Sequence, residues 1–339
     1  MSTFKLTMQV RTGGFTGPRA DPADIERALD DALDLLPLQR VIIGWAPEPG
    51  IYKQTAAQLR ARGVEVYLWL PVFSEVGVLR SCSPVLDTTG QRAAPYQLDA
   101  TESFDFYCPT DPDNIQAILS IFDQYFDPTD FDGVFLDKIR YPSFANGAFG
   151  CFCPRCQAIF DAAGLSFNGH NWQDFFEIRT KIISDALTTI CAGFRAKGLS
   201  IGLDVFAPFL TDSVGQDIPT LSTLADFIKP MMYARTNAPA GLPFELDALD
   251  QAMNITHDQE EYTNLDFCAK QVAWMKAVCA CPVYPGFEVN RIQGVADTDP
   301  EYIKGCLTAY KDADGVVASW NLLDMPREHL EALKLAERL

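Results

Sequence analysis

The sequence predicts a single (β/α)8 barrel, and three observations carry that expectation. Eight apolar or alternating runs rich in β-branched and aromatic residues recur, each followed by a stretch with helical spacing. No composition break, short repeat or low-complexity tract divides the 339 residues, so one catalytic barrel is expected over 1–339. The main alternative, a doubly wound open sheet, lacks support because no Gly-x-Gly-x-x-Gly and no Walker-type phosphate loop follows any strand.

Taken in order, the expected strands are Phe4–Arg11, Arg40–Ala46, Val64–Val72, Gly133–Asp137, Ser200–Phe206, Phe227–Tyr233, Val283–Glu288 and Gly315–Trp320. Helix boundaries have local causes. Asp21-Pro22 and Asp299-Pro300 each put proline at a first helical position. Thr55–Arg62 stops at Gly63, and Trp172–Lys197 stops at Gly198. Asp113–Phe126 carries Ile115, Ile118, Leu119 and Phe122 on one face, and Arg327–Leu339 closes the chain as an amphipathic helix. The interval from Phe73 to Asp132 is longer than an ordinary barrel loop and is expected to hold a lid or an extra lobe.

A hydrophobic fraction of 48% supplies a sizeable core. The formal net charge of −18 argues against nucleic acid or an anionic membrane as partner, since both need basic surface. MSTFKLTMQV lacks the pattern of a signal peptide, and no apolar run reaches the length of a membrane helix, so a cytoplasmic location is expected. In a reducing compartment, ten cysteines point to metal binding rather than to disulfides.

Cys151, Cys153 and Cys156 form Cys-x-Cys-x-x-Cys just after the fourth strand, and Cys108 lies 43 residues upstream, before the helix leading into that strand. Four soft thiolates on short loops suit structural zinc, which would pin the loop after strand four. The competing reading is packing by small hydrophobes, and it is the expectation for Cys82, Cys191, Cys268, Cys279, Cys281 and Cys306. A catalytic zinc is not expected, because His170, His257 and His329 stand at no ligand spacing.

Barrel enzymes carry their chemistry at the C-terminal ends of the strands. Here those ends present Arg11, Trp45, Trp69, Asp137, Asp204, Tyr233, Glu288 and Trp320, a rim of carboxylates and aromatics. Aromatic faces stack on sugar rings. Glycosidic cleavage takes two carboxyls about 5 Å apart for retention or ~6.5–9.5 Å apart for inversion. The expected catalytic set is Asp137 with Glu288 or Asp204, and Arg11, Trp45, Trp69, Arg140, Tyr141, Tyr233, Asn290 and Trp320 are expected to bind substrate. Each carboxylate has a plainer role open to it, capping a helix or pairing with arginine. Lys138 alternates with Asp137 and is expected to point toward the helix layer.

Phe131–Pro142, FDGVFLDKIRYP, resembles the fourth-strand signature of glycoside-hydrolase-like barrel families. Asp204–Leu210, Val214–Asp217 and Asp226–Tyr233 also look like such proteins. Cys108-Pro109 with Cys151, Cys153 and Cys156 is similar to the zinc–cysteine arrangement of family 42 β-galactosidases, a likeness that also suggests a homo-oligomer. That likeness implies Asp137 as acid/base and Glu288 as nucleophile, although strand four has Leu136-Asp137 in place of that family's Asn-Glu pair. A likeness to α-amylase-type barrels implies instead Asp137 as nucleophile and Asp204 as acid/base. Glu288 stands slightly ahead as the partner, on the polar pair Glu288 and Asn290 at its strand end. The leading expectation is a glycoside hydrolase acting on a small glycoside or oligosaccharide. A non-hydrolytic sugar-converting barrel and a non-catalytic carbohydrate-binding barrel are the competitors.

Overall fold

The computed structural model describes residues 4–99, 102–147 and 149–338. In chain order its strands are β1 (Lys5–Arg11), β2 (Leu38–Gly44), β3 (Glu65–Pro71), the short pair β4 (Tyr96–Gln97) and β5 (Ser103–Phe104), then β6 (Gly133–Asp137), β7 (Ser200–Val205), β8 (Phe227–Pro230), β9 (Gly286–Glu288) and β10 (Gly315–Ser319). All but β4 and β5 form one parallel sheet in the order β8-β7-β6-β3-β2-β1-β10-β9. Parallel bridges Ile228↔Val283 and Met231↔Gly286 join the two edges, with Met232 N–H donating to the Gly286 carbonyl at 2.9 Å. The barrel is closed, with helices between successive strands. Each expected strand coincides with one of the eight.

The strands read as apolar runs because both of their faces are covered, the inner one by the barrel core and the outer one by helices. All five residues of β6 are buried. At the N-terminal end, Arg40 of β2 pairs with Glu65 at 2.6 Å and lies 4.1 Å from the Phe227 ring and 4.5 Å from the Tyr67 ring. Those contacts let a guanidinium close the barrel floor.

Three α-helices open on Asp-Pro. The side chains of Asp21, Asp111 and Asp299 accept N–H bonds from Ala23, Asp113 and Tyr302 at 2.8, 3.1 and 2.7 Å. Each satisfies an N–H that the helix cannot. The expected Thr55–Arg62 helix starts earlier, at Pro49, and Trp172–Phe175 is a 3-10 turn preceding the helix Phe176–Arg195. Leu339 lies outside the described residues.

The long interval after β3 folds over the C-terminal mouth of the barrel. It is held there by Tyr107 N–H to Phe73 carbonyl at 2.8 Å and by the bridges Ser74↔Phe106 and Pro84↔Tyr107. Among the described residues no helix is long and apolar enough to cross a membrane.

Candidate active site and metal centre

A cavity of about 290 Å³ opens at the C-terminal ends of the strands. Asp137 and Asp204 both line it. Leu136 pairs with Leu203, and Asp204 pairs with Lys229, so Asp137, Asp204 and Lys229 stand at one level on three neighbouring strands. Adjacent strands are about 4.8 Å apart, which sets the two carboxylates close together.

The two acids are held differently. Asp137 accepts from the Trp69 indole N–H at 3.0 Å and from the Lys138 backbone N–H at 2.5 Å. Asp204 is 2% exposed and accepts at Oδ2 from Lys229 Nζ at 3.0 Å. Its Oδ1 is buried and has no hydrogen-bond partner among the described residues. Burial pushes the Asp204 carboxyl up to about 7, Lys229 opposes that rise, and the charge of Asp137 adds to it. Lys229 Nζ also donates to Tyr233 Oη at 2.6 Å. The lysine stem runs over Gly286, where a Cβ would stand 2.1 Å from Lys229 Cε, so a side chain there would push the lysine aside.

Around the acids lies a network of buried charges. Lys138 Nζ pairs with Glu75 at 2.7 Å and Glu102 at 2.9 Å, and Arg11 pairs with Glu102 at 3.0 Å and Asp99 at 3.1 Å. The expectation for Lys138 is corrected here. It lines the cavity instead of reaching the helix layer, because the chain leaves strand alternation at its positive φ of 51°. Ala240 and Trp320, which line the cavity, and Glu75, which pairs with Lys138, also hold positive φ. Backbone strain of this kind gathers at functional sites. Arg140 lies between the rings of Phe106 and Phe206, at 4.6 and 4.4 Å, and burial lowers it to about 10. Buried Glu245, itself raised by burial, shares this neighbourhood.

Of the expected binding residues, Arg11, Trp69, Arg140, Tyr233, Asn290 and Trp320 line the cavity. Three expected site residues do not. Trp45 is fully buried and meets Trp69 edge-on at 5.1 Å, so it braces the indole that holds Asp137. Tyr141 is buried against the Arg179 guanidinium, 4.3 Å away. Glu288 is fully buried, and both of its oxygens are occupied by protein donors. Oε1 accepts from Arg235 N–H at 2.6 Å and Thr236 Oγ1 at 3.1 Å, and Oε2 accepts from Tyr302 Oη at 2.9 Å. It ties the loop after β8 to the helix Pro300–Ala309, away from the cavity.

Lys229, Glu75, Glu102 and Glu245 join this neighbourhood without being expected there from sequence. Lys229 has a signal, a charge inside the buried run Phe227–Pro230. The three glutamates lie in loop or helix segments with nothing to mark them.

The sulfurs of Cys108, Cys151, Cys153 and Cys156 all lie within 4.8 Å of one another, with Cys108 at 3.6 Å from Cys153 and 3.5 Å from Cys156. A tetrahedron of metal–sulfur bonds of about 2.3 Å has edges of about 3.8 Å, so the four fit a metal. A second observation supports that fit. Arg179 is buried beside Cys151 and Cys156, with Nε and one terminal nitrogen unpartnered. Four thiolates around a divalent ion carry a net charge of −2, and that charge would stabilise the guanidinium. The same guanidinium lies 4.5 Å from the Phe149 ring, which belongs to a set of rings with Phe149–Trp172 at 4.7 Å and Phe160–Phe175 at 4.9 Å. The other six cysteines are free thiols, buried or half-buried.

No protein-family model and no curated protein matches the sequence. Solved structures match in fold. The catalytic domain of β-amylase from Paenibacillus polymyxa superposes with TM-score 0.60 at 12% identity, over 99% of this chain and 98% of that one. The β-galactosidase from the psychrophilic Marinomonas ef1 does so with TM-score 0.61 at 12% identity, over 98% of this chain and 59% of that chain. Catalytic domain 2 of the Ostrinia furnacalis Group II chitinase gives TM-score 0.53 at 12% identity, over 99% and 96%. What the chain shares with these three enzymes is the (β/α)8 barrel. At such identities the likeness is one of fold.

Proposed function

We propose that this protein is a glycoside hydrolase in which Asp137 is the nucleophile and Asp204 the acid/base. One observation carries the reading: Asp204 Oδ1 is buried, unpartnered and beside the cavity, on a carboxyl raised to about 7 and one strand from Asp137. A proton held there at neutral pH is available to a glycosidic oxygen. The close spacing of neighbouring strands favours retention. Asp204 then protonates the leaving oxygen while Asp137 attacks the anomeric carbon and forms a glycosyl ester. In the second step Asp204 takes a proton from water, the water attacks the anomeric carbon, and Asp137 is released. Lys229 holds Asp204 and keeps its proton exchangeable near neutrality, Trp69 orients Asp137, and the Trp320 ring offers a face to the sugar. The four cysteines hold zinc, which crosslinks the loop after β6 and takes no part in the chemistry.

A panel of aryl glycosides and oligosaccharides tests the assignment. Asp137→Asn and Asp204→Asn are each expected to lower kcat by about 10³ or more, and Glu288→Gln to stay within a few-fold of wild type. Collapse of Glu288→Gln with Asp204→Asn left active would overturn the pairing. Ligand affinity that persists in every variant with no turnover in any would make the barrel a binding protein.

A further inference from the structure

We propose that the substrate is a linear, uncharged oligosaccharide that spans two adjoining chambers, its cleaved unit above Asp137 and Asp204 and its remaining units in an outer groove. The proposal rests on the glycosidase reading of the inner cavity. The outer groove has a volume of about 730 Å³ and runs between the segment after β1, the helix Pro22–Leu35 and the segment after β10. It shares Arg11, Asp99, Asn321 and Asp324 with the inner cavity, so the two spaces meet along those side chains. Polar contacts among the described residues line that meeting place, including Asn321 Nδ2 to Asp324 at 2.6 Å, Arg11 to Asp99 at 3.1 Å and Arg11 to Glu102 at 3.0 Å. The inner cavity lies at the small end of ligand sites, and the outer groove adds more than its volume again.

The linings differ in chemistry. Aromatic rings (Trp69, Phe104, Tyr233 and Trp320) belong to the inner cavity. The groove is built of arginines, aspartates and aliphatic side chains. Its guanidiniums face carboxylates: Arg27 pairs with Asp24, Arg19 with Glu48, and Arg327 reaches Asp31 at 3.9 Å. Such a surface offers alternating donors and acceptors to hydroxyl groups and no uncompensated cation to a uronate or sulfate. The protein's net charge of −18 further repels a polyanion. Ring stacking therefore selects the unit that is cleaved, and hydrogen bonds hold the units that follow.

The test is kcat/KM for 4-nitrophenyl glycosides of one to four units of the sugar that the panel selects, beside a uronate oligomer of equal length. For the neutral series kcat/KM is expected to rise about tenfold or more with length, the value of one or two added hydrogen-bonded contacts. The uronate series stays flat. Ala28→Trp fills the groove from the helix face outside the inner cavity, and Arg27→Ala removes one donor at an exposed site. The ratio of four-unit to one-unit kcat/KM is expected to fall to near one in the first and to drop part-way in the second. Calorimetric binding of the same neutral oligomers to Asp137→Asn reads the groove without turnover, and affinity is expected to rise with length. Equal values for one and four units, or equal use of uronates, overturn the proposal. Absence of turnover with length-dependent binding retained faults the catalytic reading alone.

Discussion

Burial pushes both Asp204 and Glu288 up to about 7, yet their surroundings separate their roles. Glu288 spends both oxygens on protein donors, whereas Asp204 Oδ1 has no hydrogen-bond partner among the described residues. A shifted pKa marks a candidate, and geometry decides among candidates. If Asp204 acts as the acid, kcat/KM falls as pH rises through about 7, because the proton it must deliver is lost. Lys229 holds Asp204 down, so Lys229→Met is expected to move this limb to higher pH, at a cost in stability from the cation removed. A pH–rate profile of both proteins checks this, and an unmoved limb would assign the titration to another group. Asp137 and Asp204 were legible in the sequence as acids closing apolar runs. Lys138 departs from its expected direction because a positive φ breaks the strand alternation there.

At the scale of the element, the loop after β6 is where chain order and space agree best. Three of the four cysteines fall within six residues, and the fourth meets them through the segment that precedes helix Pro112–Tyr125. Tyr141 shows the limit of that agreement. It follows Arg140 directly, but it turns toward Arg179 while Arg140 stays on the cavity. Purified protein is expected to carry about one zinc per chain. A structural ion at a free concentration a thousandfold above its Kd contributes on the order of 4 kcal/mol. Chelation, or Cys156→Ser, should therefore lower Tm by several degrees and loosen the ring cluster around Phe149 and Trp172, a change read in tryptophan fluorescence against a Trp172→Phe control. An unchanged Tm together with absence of metal would return the cysteines to packing residues.

Across the whole molecule, four buried acids (Asp204, Glu288, Glu75 and Glu245) are raised mainly by burial. Burial outweighs even the paired lysines at Asp204 and Glu75, so the shift is upward, the reverse of the usual lowered carboxylate. Between about pH 4 and 7 the folded state holds protons that the unfolded chain has released, so stability declines as pH rises through that window and levels off above it. The net charge of −18 acts in the same direction. Calorimetry should give a higher Tm at pH 5.5 than at pH 8, and Glu288→Gln should remove part of the slope. A Tm that climbs over that range would show that paired carboxylates dominate instead.

The eight strands, the barrel they form, Asp-Pro helix starts, the cysteine cluster and two acids at neighbouring strand ends can be read directly from the chain. These are legible because their causes are local: apolar runs, capping residues, thiols close in the chain. Tertiary structure alone decided which strand-end side chains meet. A barrel strand is apolar on both faces, so its pattern carries no mark of which residues face inward. Only closure of the sheet turned Glu288 toward Tyr302, brought Lys229 under Asp204, and joined the segments after β1 and β10 into a groove beside the cavity.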